Sequence, residues 1–286
     1  MISLLGAQLL NGLATGMLYA LMAFGLSIIK GLLNVPNFAH GAFYAAGAYV
    51  CYGALAAGLP FPVALLLSFL VPALLGIVVE KFGVAYLMKE AYLYQLLFLF
   101  GAALIIEQLL IIGWGNMGLS VSPPEMLQGA FDLGFTYVPR YLVFNSAMAA
   151  LTIVAVWLLI ERTRIGSQIR AGIDKREMAQ CLGINVGRLV TAGFALGAGL
   201  AGFSGGLVLP LLGANSTMGS EMMSIAFVVL VIGGLGSIYG AVAAGLLVGV
   251  IQSVSSIFVP AASTVLIYVA MVLTIMIRPQ GLFGER

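Results

Sequence analysis

Residues 161–188 read ERTRIGSQIRAGIDKREMAQCLGINVGR. The stretch is about a tenth of the 286-residue chain, yet it carries six of the twelve Lys and Arg residues and three of the ten Asp and Glu. The sequence on either side is soluble in hydrocarbon, so this is the one long polar segment able to work in water. It contains its own helix signal. Asp174 stands where an N-cap belongs, Glu177 three residues on completes a capping-box pair, and Gly183 supplies a stop. Met178 and Leu182 fall at i and i+4, so the short helix offers one apolar face outward. Such an element suits the docking of a soluble partner. A charged loop that joins two spans is the equally weighted plain reading.

Composition fixes the class. The chain is 62% hydrophobic and 8% charged, against about a quarter charged in soluble domains, so it is an integral membrane protein with several spans. Cys51 and Cys181 are far apart and form no CxxC pair, which implies neither a disulfide framework nor a metal site. The opening residues MISLLGAQLLNG lack a basic n-region, and the run from Leu4 to Ile29 is too long for a signal h-region, so it reads as a retained span.

With about twenty apolar residues per crossing as the ruler, the segments are 4–29, 38–57, 61–79, 92–113, 141–160, 189–212, 222–235, 238–259 and 261–277. The segment 222–235 is too short to cross comfortably and reads as half of a broken helix. The expected fold is therefore an all-α polytopic bundle of 8–9 hydrophobic segments, with at least one broken or re-entrant helix, forming a single domain over residues 1–286. Basic residues collect on the cytoplasmic side of membrane proteins. With the N-terminus outside, Lys30, Lys81, Lys89, the six basic residues of 161–188, Arg278 and Arg286 fall inside, and only Arg140 falls outside. That bias puts the charged loop and the C-terminus in the cytoplasm.

Three local features stand out. Residues 34–41 read NVPNFAHG: Pro36 breaks the helix and leaves Asn34, Asn37, Phe38, the only His, His40, and Gly41 at a non-helical junction. Such a junction survives at membrane depth only when buried in protein or lining a wet cavity, so these residues are candidates for a solute pathway. For His40 alone, a packing or capping role is the more common one. Glu107 sits inside an apolar run, where a carboxylate is costly unless it is paired, protonated or faces a cavity. It joins the pathway candidates. Residues 233–240 read GGLGSIYG, which fits no phosphate-binding loop and reads as a flexible break at Gly233, Gly234 and Gly236. The small-xxx-small pairs Gly12/Gly16, Gly193/Gly197, Gly202/Gly206 and Gly245/Gly249 read as tight helix packing. No nucleophile is paired with a base, no metal cluster is visible, and no Walker lysine is present, so no catalytic residue is assigned.

These motifs carry a resemblance. Residues 11–50, NGLATGMLYALMAFGLSIIKGLLNVPNFAHGAFYAAGAYV, resemble the first two spans of the branched-chain amino-acid ABC transporter permeases. Residues 174–207, 233–249 and the terminal RPQGLFG at 278–284 are similar to later motifs of that family, in the same order. The resemblance implies a permease domain in a bacterial or archaeal plasma (inner) membrane. Its partners would be a second, homologous permease subunit, two cytosolic ATPase subunits that bind ATP and Mg, and an extracytoplasmic solute-binding protein. It implies no cofactor on this chain. It further implies that Asp174, Glu177, Met178, Ala179, Leu182 and Gly183 form a coupling helix for the ATPase, with Met178 standing where the family motif has a small residue. The solute would be small and polar, a branched-chain or other amino acid before any other. An ion-coupled secondary transporter and a passive channel for a small polar solute are the alternative readings.

Overall fold

The computed structural model describes residues 2–33, 35–134, 136–174 and 176–284, and its account of side chains further leaves out positions 2, 173, 174, 176, 177 and 261. The chain runs through α1 (Ile2–Leu33), α2 (His40–Ala56) and α3 (Phe61–Val79), which continues through a π turn (Glu80–Val84) into the short α4 (Ala85–Leu87). Then come α5 (Tyr92–Trp114), a hairpin of β1 (Ala130–Asp132) and β2 (Tyr137–Pro139), α6 (Arg140–Arg162), α7 (Arg164–Asp174) and α8 (Arg176–Cys181). The rest is α9 (Val186–Leu212), α10 (Met218–Gly233), α11 (Ile238–Phe258) and α12 (Ser263–Ile277).

Among the described residues, six stretches are long and apolar enough to cross a bilayer: Ser3–Leu33, Phe61–Leu87, Tyr92–Trp114, Arg140–Arg162, Val186–Leu212 and Ile238–Phe258. The expected count of 8–9 is therefore too high for full-length spans. The other three apolar segments are α2, α10 and α12, with 17, 16 and 15 residues. At 1.5 Å per residue each falls short of about 30 Å of hydrocarbon unless another segment completes the path.

The centre of the bundle is α1, α2 and α9, and glycine decides why. In lipid, two apolar helices gain little from leaving each other's company, so association depends on close backbone approach and many small dispersion contacts. A Cβ on Gly16 would lie 2.8 Å from the Gly245 carbonyl oxygen, and one on Gly245 would lie 2.6 Å from the Cα of Ala20. A Cβ on Gly12 would meet the Gly249 oxygen at 3.0 Å. All four of these residues are thus consumed by the antiparallel contact of α1 with α11. Gly197 meets Ile29 and the Gly25 backbone, while Gly202 and Gly206 receive Pro72 and Ser68 of α3. A Cβ on Gly47 of α2 would overlap the Gly202 backbone, and one on Gly205 would overlap the Tyr44 carbonyl. The small-residue pairs therefore do pack helices.

These contacts sort the molecule into two ends. Leu32 touches Gly193 near the start of α9, and the Gly236 turn lies beside Gly31. The Thr191 hydroxyl donates to Glu80 Oε2 at 2.7 Å, tying the π turn of the third span to the same end. The end of α1, the start of α9, the α10–α11 turn and the tail at 281–284 thus gather together. At the opposite end the Tyr141 hydroxyl donates to the Leu207 carbonyl at 2.8 Å, and Leu119 pairs with Ala214. Arg140 opens α6 at this second end and sits over the Phe131 ring of the hairpin, 5.4 Å from its centroid. The connection between α5 and α6 holds this hairpin, with Ala130 opposite Pro139 and Asp132 opposite Tyr137.

Gly47→Ala should destabilise the bundle, since a side chain there has no space short of moving α2 off α9; overpacking of this kind costs about 1–3 kcal/mol. Gly101→Ala, which meets open space, should be neutral or gain up to about 1 kcal/mol of helix propensity. Thermal unfolding of the two variants in the same detergent should separate them, with Gly47→Ala melting lower.

Candidate functional site

Two regions carry the residues singled out by the sequence, and they lie at different heights. The first is the charged segment. It folds as two helices, where the sequence reading had one. The additional helix, α7, turns back under α6: Arg170 Nη1 donates to the Ile160 carbonyl and pairs with Glu161 Oε2 at 3.1 Å. Ile169 is buried and Ile165 is exposed. The spacing Ile165, Ile169, Ile173 is the amphipathic signal that marks this helix in the sequence.

The helix α8 follows after one position. Its C-terminus is a Schellman arrangement: Gly183 adopts φ +81°, and the Ile184 amide reaches back to the Ala179 carbonyl at 3.0 Å. The stop expected at Gly183 is therefore present. Ala179 is buried against Val186 and Val190, which anchors the helix to the start of α9. Met178 and Leu182 are 58% and 79% exposed and face away from the bundle. Asp174 differs from its expected N-cap position, because it is the last residue of α7. The side chains of Asp174 and Glu177 lie outside the described residues, so the capping box itself is not described.

The second region is the junction after α1. Asn34 lies outside the described residues. Asn37 and His40 are buried; Asn37 Oδ1 accepts the Ala39 amide at 3.0 Å, closing an Asx turn. His40 opens α2, and its Nε2 lies 3.1 Å from the Met22 carbonyl, about a third of the way back along α1 from Leu33. The junction thus re-enters the bundle, and α2 begins at membrane depth. His40 is fully buried and props α2 against α1.

Phe38, Gly41 and Glu107 do come together. They line a cavity of about 420 Å³ with Gly219, Ser220 and Tyr268. A Cβ on Gly219 would lie 2.8 Å from the Gly41 oxygen and 3.1 Å from Glu107 Oε1. Glu107 therefore rests against the first turn of α10, where the orphan amides and positive end of a helix favour a carboxylate. That is a neighbour the linear sequence hides, since residues 107 and 219 are joined only by the fold. The broken-helix reading of the 222–235 segment corresponds to α10, whose start meets the start of α2 here.

The Gly233, Gly234 and Gly236 turn is packed, where the sequence suggested a flexible break. Gly234 and Gly236 take φ of +105° and +90°. The tail folds onto the turn, with the Leu282 amide on the Ile232 carbonyl at 2.8 Å and the Phe283 amide on Gly233 at 3.0 Å. The last carbonyls of α10 are satisfied by the chain's own terminus.

A further cavity, of about 490 Å³, was not anticipated. It lies towards the second end of the bundle and is lined by Tyr19, Tyr44, Glu221 and Gln252 among others. The Tyr19 hydroxyl donates to Gln252 Oε1 at 2.6 Å. These residues come from four helices, so no local motif announces them. Among the described residues no group of His, Cys, Asp and Glu could hold a metal ion.

The comparisons with known proteins agree with one another. Residues 8–276 match the family described as branched-chain amino acid transport system / permease component. The chain is 29% identical over 297 residues to the high-affinity branched-chain amino acid transport system permease protein BraD of Pseudomonas aeruginosa, covering 97% of this chain and 95% of that protein. It is 27% identical over 296 residues to LivH of Escherichia coli, with the same coverage. It is also 27% identical to LivM of Escherichia coli, over 93% of this chain and 68% of that protein. No solved structure matches the chain.

Gly183→Ala forces a side chain into a left-handed backbone, a strain of roughly 1–2 kcal/mol. Hydrogen exchange at Leu182 and Ile184 should then speed up several-fold relative to wild type, while exchange in α9 beyond Val190 stays unchanged.

Proposed function

Because the chain belongs to the branched-chain amino acid transport system permease family, we propose that it is a membrane-spanning subunit of an ATP-driven importer, with the charged end in the cytoplasm. The observation that carries the reading is the pair Met178 and Leu182, held outward on a helix anchored by Ala179, at the end of the bundle where the basic residues collect. Two apolar side chains one turn apart on the outer face of a short helix are anchors of the kind an amphipathic helix lays into a partner's groove. A cytosolic ATPase subunit is the partner this reading assigns, and it would bind the ATP and Mg that this chain has no loop to hold. The matches to both LivH and LivM support a second, homologous permease subunit beside this one. An extracytoplasmic binding protein would bring the solute, a branched-chain or similar amino acid.

Mechanically, nucleotide-driven closure of the ATPase pair moves α8. Ala179 passes the movement to Val186 and Val190 at the start of α9, and Thr191 passes it to Glu80 and the third span. The spans then rock, and the junction of Phe38, Gly41, Glu107 and Gly219 faces one side of the membrane at a time. The side chains of Asp174 and Glu177 would complete the surface that meets the ATPase.

The native cysteines test this. Cys51 is buried and Cys181, on α8, is exposed, so a membrane-impermeant maleimide reports one position. Inside-out vesicles should label at Cys181 and intact spheroplasts should not; bound ATPase subunits should protect the site. Leu182→Asp should leave the chain in the membrane and lower solute-stimulated ATP turnover at least tenfold. Labelling from the extracytoplasmic side, or normal turnover in Leu182→Asp, would contradict the reading.

A further inference from the structure

We infer that the junction ahead of α2 is a binding site for one water molecule, shared by the side chains of Asn37 and His40. The inference goes beyond the importer reading and stands or falls without it. Three observations carry it.

The first is a pair of unmet polar atoms. Asn37 and His40 are both 0% exposed, and among the described residues Asn37 Nδ2 and His40 Nδ1 have no hydrogen-bond partner. A polar atom buried in that way is costly, and more so at membrane depth. Two of them on one turn ask for one explanation.

The second is that the two atoms are complementary. Asn37 Oδ1 accepts the Ala39 amide, which fixes which side-chain atom is oxygen and leaves Nδ2 as a donor. The Met22 carbonyl can only accept, so the His40 proton sits on Nε2, 3.1 Å away. Nδ1 of that neutral ring is then a bare acceptor. One donor lacks an acceptor, and one acceptor lacks a donor. A water molecule serves both, accepting from Asn37 and donating to His40. A cation would meet the amide protons of Asn37, and an anion would meet the lone pair of Nδ1, so neither suits the pair.

The third is placement. The His40 amide donates to the Asn37 carbonyl at 3.2 Å, so both side chains leave the same turn. The outer edge of the ring is turned to α1: Nε2 meets Met22, and a Cβ on Gly25 would lie 3.3 Å from Cε1. Nδ1 is bonded to Cγ and stays on the inner side, near the turn that carries Asn37. Phe38 and Gly41 of the same turn line the cavity of about 420 Å³, so the site lies behind the wall of that cavity. Buried waters make about three hydrogen bonds to groups that lack other partners. This one completes a chain from Met22 of α1 through His40, the water and Asn37 to the Ala39 amide, and the first turn of α2 is held to α1 as one unit.

His40 is the only histidine, so isotope-labelled histidine reports this position alone. The test uses the full chain in lipid bilayers and reads the ring nitrogens, and magnetisation transfer from water, by proton-detected solid-state NMR. Wild type should show a proton on Nε2, none on Nδ1, and transfer from a long-lived water to the ring. Asn37→Ser keeps an oxygen for the Ala39 amide and removes the amide donor; transfer to His40 should fall several-fold while the tautomer is retained. Asn34→Ala should change neither. The wild-type spectrum decides without any variant: a proton on Nδ1, absence of transfer from water, or direct coupling between Asn37 Nδ2 and His40 Nδ1 would overturn the site. Full transfer in folded Asn37→Ser, or its loss in folded Asn34→Ala, would overturn it as well.

Discussion

Everything in this fold depends on backbone meeting backbone. An apolar chain in lipid has no hydrophobic reward for pairing its helices, so the pairs form where nothing stands between the main chains. Gly12, Gly16, Gly245 and Gly249 let α1 lie on α11, and Gly47, Gly202 and Gly205 let α2 cross α9. The rest of the bundle is arranged around that frame. The outer spans have most of their surface turned away from the protein, with only 22–33% of the strongest apolar window buried, whereas α1 is 83% and α9 is 67% buried. Those outer faces are what lipid and a second subunit have available to touch.

A frame this tight permits broken helices near its middle. The junction ahead of α2 leaves non-helical backbone at membrane depth, buried within the protein. There Asn37 Oδ1 holds the Ala39 amide and His40 Nε2 meets the Met22 carbonyl of α1, while Asn37 Nδ2 and His40 Nδ1 are buried without a partner among the described residues. The short α10 starts against the same point, so two helix beginnings and the Glu107 carboxylate converge. Helix beginnings are positive and donor-rich. A membrane protein that gathers two of them beside a cavity has assembled polar groups where hydrocarbon would otherwise be, and at the far end it presents a small amphipathic helix whose anchor, Ala179, leads directly into α9. The start of α9 carries Val186 and Val190 against Ala179, and the rest of that helix packs against α1, α2 and α3.

Much of this was legible in the sequence. The class followed from composition, the span boundaries from hydropathy to within a few residues, and the packing role of the glycine pairs from their spacing. The stop at Gly183 and the outward pair Met178 and Leu182 followed from helix periodicity. What was not legible depended on contacts distant in sequence. Gly219, beside which Glu107 lies, is 112 positions away, the packing of the Gly234 turn depends on the tail at 281–284, and the chamber of Tyr44 and Glu221 draws on four helices. The number of full-length spans was overread, because apolar runs of 15–17 residues look like crossings in a window of about twenty. The helix α7 was passed over because its Arg and Gly content masks an Ile every fourth residue.

The central claim is that force reaches this polypeptide from a nucleotide-driven engine it does not itself contain. The direct measurement is leucine uptake into sealed proteoliposomes that hold this chain, its partner permease and the ATPases, with the binding protein outside and ATP trapped within. The account predicts uphill accumulation that needs ATP inside, disappears without the ATPases, and is indifferent to collapsing proton and sodium gradients. Uphill accumulation by this chain alone on an ion gradient, or downhill flux with no nucleotide at all, would contradict it.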